Sequence, residues 1–332
     1  MKPKISICVP TYNQKPEYLR ECLRSALSQQ YDSLEVVVSE NHSTNDSPAL
    51  LREFFDPRLR IVTPQNHLNM KDNFGFCAAE SSGEYINFLS SDDRLHPGFC
   101  RQMAQILDAH PNVSFAHSAV QRIDANGWVI GCERSIHPSF VRSGVQELQR
   151  YVWQQCNVFI AALIRKTAYQ AVGGTKYLLD MVGDWDLSLR LLTVGNVAYC
   201  SDVLAAYRDW STPQRRSRFV AHVRDTRLLY QRLESDGTVS LIHGGRHTLI
   251  KARRGWAINF ASSLPIGELS ENELAEAVSE IRLMDDSQTV RTRLFLVQAG
   301  FGSLFACKKR MREWLRQRVK SLLYPKKADN PA

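Results

Sequence analysis

Gly83-Glu84-Tyr85-Ile86-Asn87-Phe88-Leu89-Ser90-Ser91-Asp92-Asp93 is the stretch on which the reading of this chain turns. Tyr85 to Leu89 is an apolar, aromatic run with the length of a buried strand. It stops at two serines followed by two adjacent carboxylates. In an open α/β sheet, ligands bind outside the carboxyl ends of the strands. Two carboxylates at that edge suit a hard divalent cation that also grips phosphate. The plainer alternative is that Asp92 or Asp93 caps a helix starting near Pro97. What precedes the stretch bears on the choice.

Lys4 to Val9 reads as a short apolar strand that ends at Pro10-Thr11-Tyr12-Asn13, because proline has no N–H and asparagine favours turns. From Glu17 to Gln30, Tyr18, Leu19, Cys22, Leu23, Ala26 and Leu27 fall on one helical stripe. A second strand, Leu34 to Val38, runs into the polar loop Ser39-Glu40-Asn41-His42-Ser43-Thr44-Asn45-Asp46. Strand, helix, strand implies a parallel, right-handed crossover. A third strand, Leu59 to Val62, ends at Pro64, and a helix from about Met70 to Glu80 leads into the Tyr85 run.

Those pieces, in that order, resemble glycosyltransferase family 2, the inverting enzymes of the nucleotide-sugar-binding A-type fold. The resemblance rests on Ile5–Asn13, Arg24–Gln30, Ser39–Asp46, Asn73 with Gly83–Ile86 and Ser91–Asp93, and then Gly173-Gly174 and Asp184–Arg190. It covers about residues 3 to 210. It implies that Pro10, Thr11, Tyr12, Glu40, Asn73, Ser91 and Asp92 bind the nucleotide sugar. Asp93 then binds a divalent metal, Mg²⁺ or Mn²⁺, bridging the two phosphates. Glu40 stands where the family usually has Asp, and Ser91 replaces the first acid of Asp-x-Asp. An acid at Glu40 suits the ring N–H of a uracil or thymine.

In the second half, Asp184-Trp185-Asp186-Leu187-Ser188-Leu189-Arg190 reads as the start of an amphipathic helix. By itself Asp184 is an acid in a first turn, favoured by the helix dipole. The resemblance makes Asp184 the general base, with Asp186 as the fallback, and Trp185 either stacks on a sugar or sits in the core. Gly183 precedes Asp184 where the family often writes Glu, and Trp210 stands where it often places a metal-binding His. Asp209 or water is then the expected substitute in the metal shell. Arg208, Arg215, Arg216 and Arg218 are expected to meet the departing diphosphate or to form a solvated basic loop.

Composition narrows the classes. The 332 residues are 44% hydrophobic, enough for a large α/β domain with an extension. Eight cysteines lie scattered without a Cys-x-x-Cys pair, which points to a reducing compartment rather than a zinc site or disulfide framework. No Gly-x-Gly-x-x-Gly or Walker loop appears, which argues against a dinucleotide dehydrogenase or a P-loop ATPase. Pro10–Gln14 also lacks the glycine-rich, basic first loop of a nucleotidyltransferase. The start carries no basic-plus-apolar leader, and the best apolar runs are too short to span a bilayer. From Lys308 to Lys327 there are nine basic residues and one acid, so this tail carries the whole net charge of +8. Met311, Trp314, Leu315, Val319 and Leu322 recur there at helical spacing, the pattern of an interfacial helix for an anionic membrane. No nucleic-acid-binding module accompanies that charge.

The expectation is therefore an α/β fold with a mixed, mostly parallel central sheet flanked by helices. Residues 1–212 form the catalytic domain, split at 110 into nucleotide-sugar and acceptor halves. A helical extension spans 213–303, and a basic amphipathic tail spans 304–332. The expected activity is inverting transfer from a nucleoside-diphosphate sugar to a glycan or lipid-linked glycan in surface polysaccharide assembly, on the cytoplasmic face of the membrane. The rival is a non-catalytic sugar-nucleotide-binding scaffold.

Overall fold

A computed structural model describes residues 3–133, 138–155, 159–177, 179–209 and 218–301. Trp210, Arg215, Arg216 and the basic tail lie outside the described residues. The chain divides into two compact units, Met1–Thr212 with Gln231–Leu249, and Pro213–Tyr230 with Ile250–Ala332.

The first unit begins with β1 (Ile5–Thr11), α1 (Pro16–Leu27), β2 (Leu34–Glu40), α2 (Ser47–Leu51), β3 (Leu59–Val62), α3 (Met70–Glu80) and β4 (Tyr85–Phe88). β1 pairs in parallel with β2 and β4, and β2 with β3. These strands are apolar through most of their length because helices cover the sheet. α1 buries Tyr18, Leu19, Cys22, Leu23 and Ala26 of the expected stripe, and Leu27, at its last turn, is partly buried against the same core. Gly83 lets β4 enter beside β1: its N–H donates to Ser6 Oγ at 2.8 Å, and an added Cβ would lie 2.7 Å from the Ser6 nitrogen.

Pro10 does not end β1, contrary to expectation. The strand continues to Thr11, with Pro10 opposite Ser39 and Thr11 opposite Glu40. The Thr11 carbonyl accepts from Asn41 N–H, toward β2, so the Pro10 backbone points to the β4 side. The last β1–β4 partners are Cys8 and Phe88, so no strand there requires the missing N–H.

After β4 come β5 (Arg94–Leu95), α4 (Phe99–Ala109), β6 (Val113–Ile123), β7 (Val129–Glu133), β8 (Phe140–Arg142), α5 (Gly144–Tyr151), β9 (Ala162–Arg165), α6 (Lys166–Ala171), α7 (Gly183–Leu192) and β10 (Asn196–Arg208). The sheet order is β3-β2-β1-β4-β9-β6-β10-β5, with β7 added to β6 and β8 to β10. The sheet is mixed: β6 and β10 form a long parallel ladder, while β9 runs antiparallel between β4 and β6. The Asp92-Asp93 pair does not cap α4, whose N-cap is Gly98. It leads instead into β5.

α8 (Phe219–Ser235) crosses from the second unit into the first, followed by α9 (Gly245–Ser262), α10 (Glu271–Met284) and α11 (Gln288–Leu296). The second unit is helical, with Val223, Phe260, Ile281, Met284 and Val290 in its core. Ser270 and Glu273 form a capping box at the start of α10. Among the described residues, no helix is long and apolar enough to cross a membrane.

Candidate functional site

The carboxyl ends of β1, β2 and β4 bring the first group of candidate residues together. Thr11 is buried, and its hydroxyl has no hydrogen-bond partner among the described residues. A buried hydroxyl left so costs stability unless something else completes it. Opposite it, Glu40 folds its own loop, accepting from Ser43 N–H at 2.7 Å and His42 N–H at 3.2 Å. His42 and Asn13 hold positive φ, of 60° and 47°. Asn13 N–H donates to Ser43 Oγ, and its Oδ1 accepts from Thr44 N–H, so the two loops lock each other. Asn73, on α3, accepts from Ser39 Oγ at 2.5 Å and so braces the end of β2. Pro10 is buried, while Tyr12 is exposed and leans on His67 with ring centroids 4.4 Å apart.

The β4 end supplies the acids. Ser91 Oγ accepts from Gln14 Nε2 at 3.1 Å, tying this segment to the β1 turn. Asp92 is 8% exposed and Asp93 1%. Burial pushes the Asp93 carboxyl well above the usual carboxylate range, and the neighbouring Asp92 charge adds to it; the Arg208 N–H and charge and the Ser90 hydroxyl pull the other way. Two crowded carboxylates with a hard oxygen donor set fit a divalent cation, whose charge relieves their repulsion. No cluster of three or more His, Cys, Asp or Glu suited to a metal occurs among the described residues. Among the described residues, Asp93, with Asp92 beside it, is the acid placed to contribute to such a site, and Mg²⁺ readily takes other oxygens from water and phosphate.

Arg208 is the residue the sequence misread. It is 1% exposed, and its guanidinium is consumed by the protein. Nε donates to the Asp92 carbonyl, Nη1 to the carbonyls of Asp124 and Ala125, and Nη2 to Glu21 at 2.7 Å. Its backbone N–H donates to Asp93 Oδ1 at 2.7 Å. Arg208 therefore holds the two acids in place rather than meeting a diphosphate. Asp209 is likewise engaged, by Arg122 at 3.2 Å.

α7 carries the second group. Its N-cap is Val182, so Asp184 lies inside the first turn rather than capping it. Asp184 accepts from Trp185 N–H at 2.8 Å and from Gln155 Nε2 at 2.5 Å. Part of its surface is exposed. Its surroundings are nevertheless dense enough that desolvation pushes the carboxyl up to about 6, against the pull of those donors. Asp186 is fully buried, paired with Arg190 at 2.8 Å and Arg232 at 2.7 Å. Through Arg232 it ties the carboxyl end of α8 to α7. Trp185 is a core residue, 1% exposed, with Nε1 donating to the Tyr151 carbonyl. Gln155, Gln14 and Glu21 gave no signal in the sequence, since each acts through a partner distant along the chain.

The profile of Glycosyl transferase family 2 matches residues 6–173. A curated relative, the GalNAc(5)-diNAcBac-PP-undecaprenol beta-1,3-glucosyltransferase of Campylobacter jejuni, is 30% identical over 120 residues, 35% of this chain and 37% of that protein. The chain thus spans well under two thirds of that relative's length. Among solved structures, S. aureus TarS 1-349 in complex with UDP-GlcNAc superposes with a TM-score of 0.54 at 16% identity, covering 90% of this chain and 92% of that one. The mannosyltransferase PcManGT of Pyrobaculum calidifontis, in complex with GDP-Man and Mn²⁺, gives 0.57 at 16%, covering 98% and 89%. Both share the fold.

Proposed function

Since the chain belongs to glycosyltransferase family 2, we propose that it moves one sugar, with inversion, from a nucleoside-diphosphate sugar to a hydroxyl of a glycan or lipid-linked glycan. The observation that carries this reading is the buried Asp92–Asp93 pair at the end of β4, beside the unpartnered Thr11 hydroxyl at the end of β1. Thr11, Tyr12 and Glu40 line the nucleotide end, and Asp92 reaches the ribose hydroxyls. Asp93 would hold a divalent ion, which when bound would supply Lewis-acid stabilisation to the departing diphosphate. Gln14, Ser39 and Arg208 position these groups. The family's nucleotide-sugar chemistry accords with the UDP-GlcNAc and GDP-Man complexes of the structural neighbours.

Asp184 is the base. Its carboxylate takes the proton of the acceptor hydroxyl as that oxygen bonds to the anomeric carbon, and the bond to the diphosphate breaks on the opposite face. A carboxyl held up at about 6 is a stronger base than an ordinary one, yet still ionised at neutral pH. Transfer should therefore fall about tenfold per pH unit as pH drops below about 6. Gln155 donates to the carboxylate and holds that value down. In Gln155→Leu the acid limb should move to higher pH, with the plateau rate little changed. A pH–rate profile of both proteins with a panel of nucleotide sugars checks this, and an acid limb unmoved by the substitution would remove Asp184 from the role.

The relative that acts on an undecaprenol-linked glycan supports a lipid-linked acceptor and surface polysaccharide assembly. The composition of the tail supports peripheral attachment to the cytoplasmic face. Each Lys or Arg near an anionic surface contributes about 1 kcal/mol. A chain truncated after Gly302 should lose co-sedimentation with phosphatidylserine-containing vesicles, and the full chain should lose it in high salt. Equal sedimentation of both would rule the tail out as an anchor.

A further inference from the structure

β7 is an exposed apolar strand in a place where exposure calls for a reason. Trp128, immediately before β7, is 73% exposed, and Val129 and Ile130 at the start of the strand are 57% and 50% exposed, on opposite faces of it. Single exposed apolar side chains are ordinary, but a tryptophan this exposed, next to two further exposed apolar side chains, is a candidate contact residue.

The pairings say where this run lies. β10 occupies one side of β6 as far as Ile123. β9 occupies the other side, at Phe115 to His117. β7 pairs with Val120 to Ile123, so it must take the side that β9 leaves. β9 in turn pairs with β4. β7 therefore stands in the column between β6 and β4, one step nearer the carboxyl edge, alongside the end of β4 that carries Ser91, Asp92 and Asp93.

The hairpin is also held firmly. Asp124 Oδ1 accepts from the N–H groups of Asn126 and Trp128, and Asp124 N–H donates to the Trp128 carbonyl. Arg94 donates to the Gly127 carbonyl, where φ is +85°. Arg208 donates to the carbonyls of Asp124 and Ala125 while its N–H holds Asp93. The indole is thus carried by a turn bolted through one arginine to the acid pair. Arg94 and Arg208 also pair with Glu21, at 3.6 and 2.7 Å, and Arg122, which lies against Gly131, pairs with Asp209, while Trp128 to Gly131 carries no charge of its own. A neutral, rigid aromatic wall suits the apolar C–H face of an uncharged pyranose better than a phosphate or an anionic headgroup.

We propose that Trp128 is an acceptor-binding residue, a stacking platform for a neutral pyranose ring beside the donor site. This rests on the transferase reading above and names the acceptor side of it. Trp128→Ala removes an exposed ring and leaves the fold unloaded. With nucleotide-sugar donors and a panel of neutral p-nitrophenyl pyranosides as acceptors, Trp128→Ala should raise the acceptor KM about tenfold. Donor hydrolysis without acceptor should not change, and Trp128→Phe should restore most of the loss. In the full chain labelled with 5-fluorotryptophan, the Trp128 resonance, identified by its absence in Trp128→Phe, should shift with a pyranoside and not with anionic vesicles. Normal donor hydrolysis with an unchanged acceptor KM, or a resonance that moves only with vesicles, overturns the assignment and leaves the donor site intact. Loss of donor hydrolysis in the unaltered protein would instead strike the transferase reading itself.

Discussion

Asp93→Asn is expected to lower divalent-metal-dependent donor turnover by at least about 10²-fold, with the fold preserved. The substitution keeps an oxygen for the Arg208 N–H and removes the negative charge. Asp93→Ala should abolish turnover as well but also cost stability, because it leaves that buried N–H without a partner, a loss of about 1–3 kcal/mol. Manganese binding, followed by paramagnetic resonance with a nucleoside diphosphate present, should weaken in both variants. Full turnover in Asp93→Asn would sink the metal assignment without touching the fold.

The two acids of α7 should separate cleanly. Asp184→Asn keeps size and the ability to accept the Trp185 N–H, yet loses basicity. Transfer should drop by about 10²-fold or more, with nucleotide affinity unchanged. Asp186→Asn should do the opposite. That carboxylate is fully buried between Arg190 and Arg232, and removing one member of a buried ion cluster costs about 3–5 kcal/mol. Thermal melts and single-turnover transfer on the same samples distinguish them. If Asp186→Asn melts normally and loses transfer, the two roles are reversed.

The elements legible in the sequence are those whose apolar period is local. The Tyr85 run, the α1 stripe, β3 and α3 all sit where spacing placed them. Pro10 was misjudged because its tolerance depends on where the neighbouring strand stops. The antiparallel insertion of β9 between β4 and β6 left no period of its own, since a four-residue apolar run reads the same in either direction. In the site, Asp92, Asp93 and Asp184 were visible as acids at element boundaries. Arg208 was visible only as a basic residue near other basic residues. Its work depends on Glu21, Asp92 and Asp124, far along the chain, and no local pattern encodes that. The same holds for Gln155, which looked like any polar residue until its amide met Asp184.

The central claim is catalysis of sugar transfer from a nucleotide donor, and donor turnover tests it most directly. The purified full chain is incubated with UDP-, GDP- and dTDP-sugars and Mg²⁺ or Mn²⁺, and release of the nucleoside diphosphate is followed by phosphorus NMR beside Asp93→Asn. The account predicts release from at least one donor, faster with a glycan acceptor, with an inverted anomeric configuration in the product, and abolished in the variant. Binding of a donor with no release under any of these conditions would contradict it and leave the chain a sugar-nucleotide-binding scaffold.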